Sequence, residues 1–164
     1  MATAARRRTR DARGQAIIEF ALVVPVIVFL VVAFIEIGRA VYSWTTIANA
    51  ARQGARVAAV NQLTTLAECD ETRPIENASD AHWTIVGCAI AAGGGLGLRP
   101  EDVSIDYSAP PGTTLSCSPT IHIGCIAAVT VTYQYTPSTP IVSGVISSFT
   151  MSSTSEMPIE RVFP

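Results

Sequence analysis

Lysine is absent from the 164 residues, so all eleven basic side chains are arginines, set against thirteen acids. Only 15% of the chain is charged and the net charge is −2, which provides no electrostatic footprint for nucleic acid. Two histidines, His82 and His122, stand close to cysteines or a helix start, with no Ser–His–acid grouping around them. No enzyme activity is expected. The run GGGLG at 93–97 lacks the preceding strand and following helix that a phosphate cradle requires, and it reads as a flexible connector. Asp102 and Asp106 share a face of a short strand, where solvation is their ordinary role. What remains is a structural or binding protein.

The hydrophobic content is 49%, and its excess is concentrated near the N-terminus. From Ala16 to Ile35 every side chain is apolar or small except Glu19. Ala16–Ile37 is long enough, at ~1.5 Å per residue, to cross a hydrocarbon core of ~30 Å. Arg6, Arg7, Arg8, Arg10 and Arg13 precede it, giving +4 over residues 1–14 against −6 over the remaining 150. Only Arg39, Arg52 and Arg56 follow within about 20 residues, so the positive-inside rule places the N-terminus in the cytoplasm. Pro25 inside the span is tolerable, because neighbouring helices or local adjustment can absorb the lost hydrogen bond.

Glu19 is the residue that needs a reason. A carboxylate at the centre of a membrane helix costs about 2.5–3.5 kcal/mol on insertion scales, and less near the ends. A secretory signal cut near Val31–Ala33 leaves the apolar run continuing past the cut, and in an uncleaved anchor Glu19 is no more than an interfacial acid that snorkels to the head groups at little cost. A cut on the cytoplasmic side after Gly14 gives it a task. Gln15 then becomes the N-terminus, and Glu19 lies one helical turn away on the same face. Its carboxylate can neutralise the new ammonium, its own or that of a neighbouring helix, in a medium where pairing counts for more than in water. Glu36, at the opposite boundary, is expected to be solvated and to tolerate Gln.

Arg13-Gly14-Gln15-Ala16-Ile17-Ile18-Glu19-Phe20, followed by EIGR and NAARQGAR, resembles the TadE-like family, pseudopilins of the tight-adherence (Flp-type) pilus systems. The resemblance is close over Arg13–Val60. It implies that a prepilin peptidase cuts Gly14–Gln15, and that Glu19 and Phe20 serve processing and assembly. It also implies other pilus or pseudopilin subunits as partners, and a minor rather than major subunit. The alternative is an uncleaved, single-pass, membrane-anchored extracytoplasmic binding module. Its ligand would be recognised by the loop between Cys117 and Cys125 or by a tyrosine-bearing strand.

All four cysteines, Cys69, Cys88, Cys117 and Cys125, lie beyond the span, on the side expected to be oxidising. They are disulfide candidates: Cys117 with Cys125 closes the short loop CSPTIHIGC, and Cys69 with Cys88 ties the helix end to a later segment. Zinc held by Cys117, His122 and Cys125, with His82 or Cys88, does not fit the usual ligand spacings, so neither metal nor other cofactor is expected.

Past the membrane the helix continues. Val41, Trp44, Ala48, Ala51, Ala55 and Ala58 form an a/d-like stripe, and Ala50, Gly54 and Ala58 a small-xxx-small row open to another backbone. Arg52 and Arg56 share one face, solvated or opposed to an acidic neighbour. Ser79 is expected to cap a second helix ending near Ala92. Val103–Tyr107, Val129–Tyr135 and Phe149–Glu156 alternate as strands, and TPSTPIVSG is a loop. The expected fold is α+β, a long transmembrane helix extending into a small pilin-like domain with a short antiparallel sheet. Its expected parts are a basic cytoplasmic leader (1–14), a transmembrane helix (15–37), a helix extension (38–66) and an extracytoplasmic domain (67–164).

Overall fold

The computed structural model describes residues 3–60, 78–118, 120–144 and 146–160. Its longest element is the helix α1, Thr3–Val60, which continues through Pro25. Within it, Gly14–Val60 is long and apolar enough to cross a membrane, and Ile18, Leu22 and Phe34 are exposed along it. Residues 61–66 of the expected extension lie outside the described residues.

The second half of α1 is covered. Ile47, Ala50, Ala51, Gly54, Ala55 and Ala58 are buried at intervals of three and four, the spacing of one helix face. The expected stripe is therefore correct from Ala51 to Ala58. Val41 and Trp44, expected to begin it, are exposed instead. At that level the covered face is the one carrying Ser43 and Ile47. Arg52 and Arg56 are exposed.

The helix α2 (Ala78–Ala92) crosses the small row of α1. A Cβ at Gly54 would lie 2.9 Å from Val129 Cγ1 and 3.2 Å from Ala89 Cβ, so only glycine admits this approach without displacement. The backbone that the small row receives is the chain's own α2. Ser79 is a helical residue there, not the residue before the helix. The helix stops in the glycine run, where Gly93 N–H donates to Ala89 O at 3.0 Å and Gly95 takes φ +88°.

A 3-10 turn at Pro100–Asp102 leads into the sheet, formed by β1 (Val103–Ser108), β2 (Ile126–Tyr135) and β3 (Phe149–Pro158). The order is β1-β2-β3, antiparallel throughout, with Val129 opposite Ile105 on one side and Ser155 on the other. Period-2 alternation turns Ala127, Val129, Val131 and Tyr135 inward, while Thr130 meets Thr154 across the outer face at 2.7 Å. Val129 and Val131 are fully buried, each worth about 1.5–3 kcal/mol of burial, and they fill the space that alanine and glycine leave on α1. The arrangement is the α+β, pilin-like one expected: a long apolar helix packed on a three-stranded antiparallel sheet.

Two links fix the sheet's ends. Glu160 N–H donates to Ala59 O at 2.8 Å, tying the chain beyond β3 to α1. At the other end, the expected loop after β2 contains a single helical turn, α3 (Pro140–Ser143), before β3 begins.

Candidate functional site

The N-terminal end of the apolar stretch presents Gly14, Gln15, Glu19 and Phe20 together, all exposed. Gln15 Nε2 donates to Glu19 Oε1 at 3.1 Å, one turn along the same face. A Cβ at Gly14 would meet nothing within 4 Å, so the backbone around it is open. Phe20 is exposed beside Glu19 and, among the described residues, is not part of the core. This face holds a carboxylate one turn from residue 15 and leaves it accessible from outside the chain.

The acid at the other end of the apolar stretch is the more heavily bonded, and it is buried rather than solvated as expected. Glu36 is only 5% exposed. One carboxylate oxygen, Oε2, accepts from Tyr135 Oη at 2.6 Å and Arg39 Nη1 at 3.1 Å. The other, Oε1, accepts from Ser138 N (3.1 Å) and Oγ (3.0 Å), and from Thr139 N (3.0 Å) and Oγ1 (3.1 Å). Tyr135 Oη also donates to the Glu36 carbonyl at 3.2 Å. Arg39 closes the cluster by donating to Ser138 Oγ and by lying 5.8 Å from the centroid of the Tyr135 ring.

Local structure explains the convergence. Glu36 stands on the same face as Ala40, Ser43 and Ile47, at intervals of four, three and four, and so points under the sheet rather than into water. Tyr135 is the last residue of β2, and its inward register brings the phenol to that level. Ser138 and Thr139 precede Pro140 at the start of α3, where first-turn N–H groups lack helical partners; the carboxylate supplies one. Burial first, then the hydrogen bond to Glu36 and its negative charge, push the Tyr135 phenol up to about 12. The sequence carried two signals for this latch: the i, i+3 pair Glu36–Arg39 within EIGR, and the unusual donor density of TPSTP.

At the opposite end of β2, roughly 30 Å away at ~3.3 Å per residue, Cys117 and Cys125 are joined by a disulfide with Cα atoms 5.9 Å apart. Both are buried, while Ile123 in the loop between them is exposed. Cys88 is disulfide-bonded as well, and Cys69 lies outside the described residues. The sulfurs considered above as zinc ligands at 117 and 125 are thus bonded to each other. The structure brings the four N-terminal candidates together and keeps the cysteine loop well away from them.

Residues 14–56 match the family described as TadE-like protein. The matched stretch opens at Gly14 and includes both Glu19 and Glu36. No curated protein and no solved structure matches the chain.

Proposed function

We propose that this chain, which carries a TadE-like domain at residues 14–56, is a minor pilin or pseudopilin of a tight-adherence (Flp-type) pilus. Such a domain associates the chain with Tad pilus components and with a structural rather than enzymatic role. In this reading a prepilin peptidase cuts Gly14–Gln15, and the leader 1–14 stays in the cytoplasm. Residues 15–37 cross the membrane once, with the extension 38–66 and the domain 67–164 on the extracytoplasmic side. Other pilus subunits dock along the exposed apolar helix.

The observation that carries the reading is the placement of Glu19. It lies one turn from Gln15, bonded to it at 3.1 Å, on a helix end left exposed by the described residues. A carboxylate so placed can neutralise an ammonium created at residue 15, on its own helix or on a neighbour in slight axial stagger. The competing reading, an uncleaved anchored binding module, has no use for this pairing.

The Glu19→Gln variant tests it. Membrane insertion should be unchanged or improved, because an amide is less costly to bury than a charge. Assembly should fail, because a desolvated terminus loses its partner. The readouts are membrane fractionation for insertion, and pilus counts with site-specific crosslinking to partner subunits for assembly. Wild-type piliation and crosslinking in the Glu19→Gln strain would make the carboxylate an incidental charge at the interface.

A further inference from the structure

Arg39 is bonded to Glu36, but Arg52 and Arg56 have no acid on their own helix to meet, since residues 37–60 contain none. The three strands present the converse. They carry two acids, Asp106 and Glu156, and no basic residue. Ion pairs among the described residues are Glu36–Arg39 and Arg99–Glu101, which leaves these four exposed side chains unpaired there.

Asp106 on β1 and Glu156 on β3 both stand opposite Ala128 of β2, so the acids flank one small residue in a single row of the sheet. The row spans two inter-strand spacings, about 10 Å. Alternation turns it to the outer face, the face on which Thr130 meets Thr154. On α1, Gly54 lies midway between the two arginines and faces Val129, the neighbour of Ala128. Two residues along a helix is about 160° round it, so Arg52 and Arg56 point away from the sheet. The arginine pair and the acid row therefore stand at one level of the domain, on opposite sides of it.

That common level selects the partner. Copies inserted in one membrane with one orientation share it, so a second chain beside the first brings its acid row to the height of the arginine pair. A stagger of about 6 Å, the spacing of the arginines along the helix, merely exchanges Arg56 for Arg52. Two positive charges meet two negative ones, and Ala128 leaves room for a helix between the acids. We propose that α1 of one copy lies on the outer sheet face of the next, with Arg52 and Arg56 set against Asp106 and Glu156. The two faces differ, so the contact is heterologous and extends into a row instead of closing as a dimer. Exposed ion pairs contribute little affinity singly; here they fix the orientation and register of the contact. This rests on the membrane-span reading above.

A photoreactive benzophenone residue in place of Asn49, exposed three residues before Arg52, tests it. The full chain is purified and reconstituted in phosphatidylethanolamine–phosphatidylglycerol vesicles, so that copies of itself are its only protein neighbours. After irradiation, mass spectrometry should map chain–chain adducts to outer-face residues of β2 and its neighbouring strands. Arg52→Glu with Arg56→Glu should lower their yield at least tenfold, and so should Asp106→Arg with Glu156→Arg. An equimolar mixture of the two reversed chains should recover the yield to within about threefold of wild type, because each then offers the other a complementary face. Wild-type adducts that map to α1 of the second copy, or no adducts at all, would overturn the proposal. So would an unchanged yield in either reversed chain, or no recovery in the mixture. A chain that fails to float with the vesicles would overturn the span and the proposal together.

Discussion

Replacing Tyr135 by Phe removes one atom from the Glu36 latch and leaves the rest standing. The ring keeps its tilted contact with Phe149, centroids 5.3 Å apart, and its position beside the Arg39 guanidinium. What disappears is the donation of a 4% exposed phenol to Glu36, at 2.6 Å to the carboxylate and 3.2 Å to the carbonyl. Hydrogen bonds to charged groups contribute about 1.5–3 kcal/mol net. Arg39, Ser138 and Thr139 still donate to the same carboxylate, so no unpaired buried charge is created. The expected loss is therefore about 2 kcal/mol, or roughly 30-fold in the equilibrium for opening this end of the sheet. Amide hydrogen exchange on the full chain in lipid nanodiscs reads it directly. Protection of residues 138–143 and of the first residues of β3 should fall by about that factor, while α2 stays unchanged. Tyr133→Phe, whose hydroxyl makes no bond to Glu36, is the control. Equal protection in Tyr135→Phe and wild type, within about twofold, would refute the latch.

Alkaline titration should show the same residue. A phenol raised from about 10 in the unfolded chain to about 12 when folded holds its proton preferentially in the native state. Its contribution is fully present below pH 10 and is lost as pH rises toward 12; thermal unfolding followed across that window should fall more steeply for wild type than for Tyr135→Phe. At Gly54, alanine sets a helix-propensity gain of about 1 kcal/mol against overpacking of about 1–3 kcal/mol on Val129 and Ala89. Gly54→Ala should thus be neutral to about 2 kcal/mol destabilising and Gly54→Val clearly worse in thermal unfolding; an unchanged melting temperature for Gly54→Val would contradict the close α1–α2 approach.

The sequence made legible whatever depended on short-range pattern. The strand at Ile126–Tyr135 announces itself by alternation, and the apolar helix by an uninterrupted run followed by an alanine-rich extension. It was far less informative about faces. Val41 and Trp44 look like the start of a buried stripe because they are large and apolar, yet the covered face passes through Ala40, Ser43 and Ile47. Small residues carry little hydropathy signal, and what selects them is the approach of α2 and β2 from far along the chain. Glu36 was misjudged for the same reason. A single acid at a membrane boundary reads as solvated, and the donors that bury it stand about 100 residues away at Tyr135, Ser138 and Thr139. Glu19 presented the opposite case, since its partner Gln15 is four residues off and helical geometry alone brings them together.

The identity of the first residue of the mature chain tests the central claim most directly. Intact-mass and N-terminal peptide mass spectrometry on protein extracted from membranes should find a chain beginning at Gln15, and Gly14→Ala should abolish that species. A chain retaining residues 1–14 in cells with an active prepilin peptidase, or one beginning near Phe34, would contradict the pseudopilin account and leave Glu19 without its partner.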